Sequence, residues 1–271
     1  MERTIFVVSD HTGLTAESVA RSLLAQFEGV GFRYVTRPFT DTAPEVEAIV
    51  EEIKLLGEGG LRPIVFSTLA NPALNARLKT APALHLDLFQ SFLGTLEVEL
   101  GQAPTGRVGR FHAVDNSSRY FARIEAVDFA LATDDGVGDK QYGQSDVILL
   151  GVSRAGKTPT CLFLGLQYGL KASNYPLAED DFERDTLPVP VAPYRAKIFG
   201  LTIDPRRLQQ IRTQRKPGSR YATLEQCEYE VRRAERLFKR LEIPHFDTTT
   251  ASIEEIAATI VQGAGLSRRT Q

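Results

Sequence analysis

The 271 residues of this sequence include 42% hydrophobic and 24% charged side chains, a composition that is typical of a folded globular protein and excludes a disordered or fibrous chain. The net charge is −2, from 32 basic and 34 acidic side chains, which argues against a general nucleic-acid-binding protein with a basic surface. At about 150 residues per domain, the length predicts two domains.

The sequence contains no pattern typical of export or of membrane insertion. The N-terminus, MERTIFVVSD, has neither the apolar core nor the small-residue cleavage site of a signal peptide. No apolar run approaches the ~18 residues that a membrane-spanning helix requires. The two cysteines, Cys161 and Cys227, are too few for a disulfide framework or a four-ligand zinc site. We therefore expect a cytoplasmic protein with reduced thiols and no membrane contact.

In the first half of the sequence, short apolar runs alternate with segments of helical period, which is typical of βα units around a parallel sheet. Residues 1–105 are therefore predicted to form a Rossmann-like or flavodoxin-like α/β domain. The predicted strands are Thr4–Ser9, Phe32–Val35, Pro63–Ser67 and Leu84–Leu86. The predicted helices cover about residues 15–27, 43–56 and 88–100, with apolar stripes at Val19, Leu23 and Phe27 and at Val46, Ile49, Val50 and Ile53 in the first two.

The composition changes after residue 101, where glycines and a proline accumulate. Residues 106–145 are predicted to form a helical connection, with one helix over about 116–132 and a Gly- and Asp-rich loop after it. Residues 146–271 then restart a βα pattern and predict a second α/β domain that is P-loop kinase-like. Its expected strands are 146–150, 197–203 and 245–248, and its expected helices begin at Lys157, Pro205, Thr223 and Ser252.

A P-loop motif, GVSRAGKT, follows the first strand of this second domain and opens a helix. Glycines allow successive N–H groups to turn inward around phosphate oxygens, and the following helix adds the positive end of its dipole. Lys157 is expected to reach the terminal phosphates, and the Thr158 hydroxyl to ligate Mg²⁺. The predicted nucleotide-binding residues are Gly151, Val152, Ser153, Arg154, Ala155, Gly156, Lys157 and Thr158.

Two further charged residues of this domain have two interpretations each. Arg154 lies inside the P-loop, either as a second cation near the phosphates or as a solvent-facing charge. Asp204 ends the strand before Pro205, where a P-loop enzyme could use an acid for the metal or for the acceptor's proton. An aspartate before proline is also a good helix N-cap, so Asp204 is either a catalytic acid or a cap.

In the first domain, the run SDHTGLTAE follows the first strand. Ligands of open α/β sheets bind at this carboxyl end of the strands. The small residues Ser9, Thr12, Gly13 and Thr15 predict a loop for phosphate or a phosphorylated side chain, and Asp10 is its candidate acid–base group. The alternative is simple capping of the next helix by Thr15.

The motifs together resemble a known family. The runs SDHTGLTAE at residues 9–17, ILLGVSRAGKTPT at 148–160, NYPLAEDD at 174–181 and FGLTIDPRRLQQIR at 199–212 are similar to those of the phosphoenolpyruvate synthase regulatory proteins. These form the bacterial branch of the pyruvate, phosphate dikinase regulatory family. The Gly-Lys-Thr ending of the P-loop resembles this branch, and the similarity extends over nearly the whole chain.

The resemblance implies a bifunctional enzyme with phosphoenolpyruvate synthase as its target. Such an enzyme phosphorylates a threonine of the synthase with ADP as donor, and reactivates the synthase by a phosphate-dependent reaction that releases pyrophosphate. The implied small molecules are ADP and inorganic phosphate, with Mg²⁺ expected beside the P-loop. A homodimer is the default expectation for the oligomeric state.

Two other functions are compatible with the residues alone. The second half could belong to a P-loop kinase of a small metabolite, which would use ATP. The chain could also be a nucleotide-sensing partner protein that performs no chemistry. Binding of ADP rather than ATP, and transfer to a protein threonine, would distinguish the regulatory enzyme from both.

Overall fold

The computed structural model describes residues 2–57, 60, 62–105, 117–136, 139–184 and 186–267. The chain divides into two compact units, residues 1–114 and 115–271. This division falls within the predicted helical connection, of which residues 106–116 and 137–138 lie outside the described residues. Helix α5 (Ser117–Ala132) belongs to the second unit, where it packs against the helix that follows the P-loop.

The first unit is built on a four-stranded parallel sheet in the order β2-β1-β3-β4. This order is that of the first four strands of a flavodoxin-like sheet. The strands are β1 (Glu2–Ser9), β2 (Gly31–Arg37), β3 (Ile64–Thr68) and β4 (Leu84–Asp87), and the helices are α1 (Leu14–Leu24), α2 (Ala43–Gly57), α3 (Pro72–Leu78) and α4 (Leu88–Leu100).

The predicted apolar stripe is confirmed for α2 and wrong for α1. All four stripe residues of α2 are buried, between β1, β3 and α3. In α1 the buried residues are Ala16, Ala20 and Leu24, whereas Leu23 and Phe27 are exposed. The alanines let this helix lie close to β1 and β3, and the helix ends at Leu24, so Phe27 is not part of it.

The second unit has a parallel sheet in the order β6-β5-β7-β8. Its helices after α5 are α6 (Lys157–Phe163), which continues as a π-helical turn to Tyr168, α7 (Glu179–Arg184), α8 (Pro205–Arg215), α9 (Leu224–Arg240) and α10 (Ile253–Gly263). Its strands are β5 (Val147–Gly151), β6 (Ala172–Pro176), β7 (Ile198–Thr202) and β8 (His245–Asp247). The sequence did not predict β6, whose central residues Ser173 and Asn174 are polar and fully buried.

The fold prediction is confirmed: both units are α/β structures around parallel sheets. The predicted helix caps of the second unit are also present. Ser252 and Glu255 form a complete capping box at α10, and Thr223 accepts a hydrogen bond from Gln226 N at α9. In the described ranges, no helix combines the length and apolar character needed to cross a membrane.

Candidate nucleotide-binding site

The P-loop connects β5 to α6 at the centre of the second sheet. β5 pairs with β6 on one side and with β7 on the other, so the loop leaves the sheet between the first and third strands of the unit. Such a position is a topological switch point, where neighbouring connections diverge and leave a crevice for a ligand. The strand and the helix that a functional P-loop requires are therefore both in place.

Backbone geometry explains the two glycines of the motif. A Cβ atom on Gly151 would lie 2.4 Å from the carbonyl oxygen of Leu201, so only glycine lets β5 approach β7 at this point. Gly156 has φ of 87° and is the N-cap of α6. Arg154 has φ of 76°, which is unusual for a residue with a side chain and marks a strained loop. Strain of this kind is characteristic of ligand-binding segments.

Lys157 is the first residue of α6 and is only 5% exposed. Its Nζ donates a hydrogen bond to the carbonyl oxygen of Val152 at 2.9 Å, which folds the side chain back over the loop. Burial lowers the pKa of Lys157 from 10.5 to about 8, although the nearby charges of Asp135 and Asp134 act in the opposite direction. The ammonium group is thus held at the loop in a poorly solvated position.

Thr158, the predicted magnesium ligand, donates a hydrogen bond from Oγ1 to Asp134 Oδ1 at 2.7 Å. Asn174 of β6 donates from Nδ2 to the same oxygen at 2.5 Å. Asp134 lies just after α5, in the loop that the sequence analysis treated only as a connection. The P-loop threonine is therefore paired with an acid from outside the motif.

The opposite side of the P-loop is held by Arg212 of α8, which is fully buried. Its guanidinium donates to the carbonyl oxygen of Ser153 at 3.0 Å and to Glu230 Oε2 at 2.6 Å. It also stacks on the ring of Tyr221, whose hydroxyl lies 2.9 Å from Ser153 Oγ. Arg212 thus holds the backbone of Ser153, and Tyr221, on which it stacks, contacts the side chain of the same residue.

The remaining P-loop residues take different positions. Val152 and Ala155 are buried, and the carbonyl oxygen of Ala155 accepts a hydrogen bond from Thr248 Oγ1 at 3.3 Å. The side chain of Arg154 is exposed, and within the described ranges its guanidinium makes no ion pair. Its exposure is compatible with both interpretations of this residue.

Asp204 performs the capping role that was one of its two predicted interpretations. Its Oδ1 accepts hydrogen bonds from the backbone N–H groups of Arg206 and Arg207, both at 2.9 Å. The residue also lines a cavity of about 450 Å³ with Glu228, Glu235 and Asp247. No hydrogen bond joins Asp204 to the P-loop in the part of the chain that is described, and its role as a catalytic acid stays a prediction.

In the first unit, the run SDHTGLTAE also occupies the switch point of its sheet, between β1 and α1. Ser9 is buried and accepts hydrogen bonds from His11 N and from Thr68 Oγ1. Asp10 is 9% exposed and accepts from the backbone N–H of Ala70 at 2.6 Å. Both side chains therefore support the loop itself, and their predicted contact with phosphate remains a prediction.

The capping alternative for this loop is wrong. The N-cap of α1 is Gly13, with φ of 79°, and no side chain caps the helix. Thr15 lies inside the first turn and, like Thr12, is exposed. The two threonine hydroxyls thus face solvent at the carboxyl end of the sheet, where the sequence predicted a ligand.

Sequence patterns did not predict several residues of the P-loop environment, among them Asp134, Asn174 and Tyr221. A signal existed for the first, because Asp134 belongs to an acidic pair shortly before the P-loop strand, and a P-loop enzyme needs an acid near its threonine. No local sequence pattern distinguishes Asn174 or Tyr221. Asn174 contacts a residue 40 positions away in the chain, and Tyr221 contacts one 68 positions away.

Comparison with known proteins agrees with the geometry of this site. Residues 5–261 match the profile of a family described as kinase/pyrophosphorylase. A protein of Deinococcus radiodurans is 60% identical over 261 residues, which cover 96% of this chain and 94% of that protein. Proteins of Bordetella avium and Aromatoleum aromaticum are 51% and 52% identical, each over 98% of this chain and 97% of their own length.

All three relatives carry the provisional name phosphoenolpyruvate synthase regulatory protein. The family match covers both units, from β1 to α10, and includes the P-loop and the first-unit switch point. The predicted resemblance is thereby confirmed, and the chain belongs to the kinase/pyrophosphorylase family.

Proposed function

We propose that this protein regulates phosphoenolpyruvate synthase by two opposing reactions at a threonine of the synthase. In the first, ADP donates its β-phosphoryl group to the threonine hydroxyl, which gives phosphothreonine, AMP and a proton. In the second, inorganic phosphate takes the phosphoryl group from the phosphothreonine, which restores the hydroxyl and gives pyrophosphate. The first reaction inactivates the synthase and the second reactivates it.

The single observation that carries the proposal is the P-loop in its structural context. A buried strand, a left-handed Gly156 and the buried ammonium group of Lys157 at a helix start form a cradle for the phosphates of a nucleotide. Family membership makes phosphoryl transfer the expected chemistry. The names of the relatives supply the target, and the choice of ADP as donor follows from the family resemblance of the motifs.

The P-loop residues have separate tasks in the proposed reaction. Lys157 would neutralise charge that develops on the transferred phosphoryl group, and Thr158 would hold Mg²⁺, which would supply further positive charge against the phosphates. Arg154 is exposed within the loop and would add a second cation for the short diphosphate. Phosphoryl transfer depends mainly on positioning and charge, and these groups would contribute to both.

The test is to incubate the purified protein with phosphoenolpyruvate synthase, ADP and phosphoenolpyruvate. We expect phosphothreonine on the synthase and an equal amount of AMP, with no transfer when ATP replaces ADP. Removing ADP and adding inorganic phosphate should then release pyrophosphate and restore synthase activity. The Lys157→Ala variant is the matched control and should support neither reaction.

Two results would contradict the proposal and point elsewhere. Phosphorylation of a small metabolite from ATP, without transfer to the synthase, would indicate a metabolite kinase. Binding of ADP and of the synthase without any transfer in either direction would indicate a nucleotide-sensing partner protein.

A further inference from the structure

The hydroxyl group of Thr158 can donate one hydrogen bond, and its two lone pairs can accept hydrogen bonds or bind a cation. Its proton is donated to Asp134 Oδ1 at 2.7 Å. A hydroxyl ligates a cation through its lone pairs, so its proton must be accepted by another group on the side away from the metal. Asp134 is the acceptor that a cation-ligating threonine needs.

Asp134 is itself held in place from the sheet. Asn174, which is fully buried on β6, donates to the oxygen of Asp134 that already accepts from Thr158. Among the described residues, Oδ2 of Asp134 accepts no hydrogen bond, and the buried Oδ1 of Asn174 has no partner. Buried acceptors are normally paired, so Asn174 Oδ1 is left for a donor that the described side chains do not supply.

The charge of Asp134 favours the protonated form of Lys157 but opposes the binding of phosphate at the same loop. A carboxylate one hydrogen bond away from the P-loop threonine would repel the negative phosphates of a nucleotide. A divalent cation would attract both the carboxylate and the phosphates, and it would be the largest charge in such a site. The cation would therefore outweigh their repulsion.

We propose that Asp134 is the positioning carboxylate of a divalent-cation site at the P-loop. It accepts the proton of the Thr158 hydroxyl and directs the lone pairs of that hydroxyl toward a cation bound with the nucleoside diphosphate. This inference rests on the proposed function for the identity of the nucleotide. The task falls to Asp134 because Asp204, the acid that the sequence favoured, uses its Oδ1 to cap α8.

The test measures the affinity for ADP by calorimetry with and without Mg²⁺, and the binding of Mn²⁺ in the presence of ADP by electron paramagnetic resonance. In the wild-type protein we expect Mg²⁺ to tighten ADP binding on the order of tenfold, within the usual range of coupling between ligands. The Asp134→Asn variant keeps the size of the side chain and one acceptor oxygen but removes the negative charge that attracts the cation, so it should lose this gain and the bound Mn²⁺ signal. Its affinity for metal-free ADP should be unchanged or higher, because a negative charge near the phosphates has gone.

The Thr158→Val variant removes the hydroxyl and should lose the same coupling, whereas Asp128→Asn, an exposed position on α5, should retain it. A damaged fold would weaken the binding of metal-free ADP as well as the effect of Mg²⁺. Tighter binding of metal-free ADP together with loss of the Mg²⁺ effect would therefore not result from a damaged fold. Full metal coupling in Asp134→Asn would overturn the inference. If that variant does not fold, full coupling in Thr158→Val would overturn it.

The wild-type protein separates this inference from the proposed function. ADP binding without any effect of Mg²⁺ or Mn²⁺ would overturn the inference and leave the proposed function standing. Metal-dependent ADP binding that is lost in Asp134→Asn, but without transfer to the synthase, would support the inference and contradict the proposed function. Absence of ADP binding would overturn both.

Discussion

The positively charged side chain of Lys157 lies in a poorly solvated position. Because burial lowers its pKa to about 8, the ligand-free protein loses this charge near the upper end of the physiological pH range. A bound phosphate group favours the charged form and raises the pKa again. Nucleotide binding is therefore linked to protonation of a single side chain.

The affinity for ADP should consequently fall as the pH rises through 8. If only the protonated lysine binds well, the affinity decreases about tenfold between pH 7 and pH 9, following the protonated fraction of the free protein. Calorimetric titrations at pH 7, 8 and 9 measure this directly. Lys157→Arg is the matched variant, because arginine stays charged throughout and should give a flat profile. Equal slopes in the two proteins would show that another group titrates.

The same lowered pKa also affects stability, with a definite sign. Between pH 8 and the ordinary lysine value of 10.5, the unfolded chain binds more protons than the folded one. The titration of Lys157 should therefore increase the free energy of unfolding of the ligand-free protein as the pH rises through this window. At neutral pH the burial of charged Lys157 therefore lowers the stability of the ligand-free protein. Such a loss of stability is common at functional sites.

At the scale of secondary-structure elements, α8 and α9 are joined to the P-loop by one buried ion pair. Arg212 of α8 is fully buried and Glu230 of α9 has a side chain only 13% exposed. The guanidinium also donates to carbonyl oxygens of Ser153 and Tyr221. Removing one partner of such a pair leaves the other as an uncompensated charge in a poorly solvated place.

The Arg212→Met variant should therefore lower the free energy of unfolding by about 3–5 kcal/mol. Arg206→Met, on the exposed face of the same helix, is the matched control and should change it by less than about 0.5 kcal/mol. Urea denaturation followed by circular dichroism measures both. Changing Glu230 to glutamine in the Arg212→Met background should recover part of the loss, because the unpaired charge is removed. Equal stability of the two arginine variants would contradict a structural role for the pair.

Elements were predictable from the sequence where local pattern decided the structure. The stripe of α2 repeats with helical period and is buried as expected, and the Asp-Pro pair begins α8. Strand β6 has no such pattern, because its polar Ser173 and Asn174 are buried for contacts with distant parts of the chain. Asp134 differs, because its acidic pair before the P-loop strand was a usable signal, although only the fold shows that this loop residue reaches Thr158.

At the scale of the whole molecule, each unit contains the elements of an independent fold. Each has its own four-stranded sheet and its own hydrophobic core, and every core cluster lies within one unit. In the second unit, the contacts that hold the P-loop among the described residues come from Asp134 to Thr248. Domains with these properties generally fold alone.

A fragment of residues 115–271 should therefore fold cooperatively and bind ADP with an affinity within about threefold of that of the full chain, a difference of less than 1 kcal/mol. Thermal unfolding followed by circular dichroism measures the first property, and calorimetric titration measures the second. The same fragment with Lys157→Ala controls for unspecific binding and should show none. A fragment that folds but binds ADP far more weakly would place part of the nucleotide site in residues 1–114, since the P-loop and its supporting residues would all still be present.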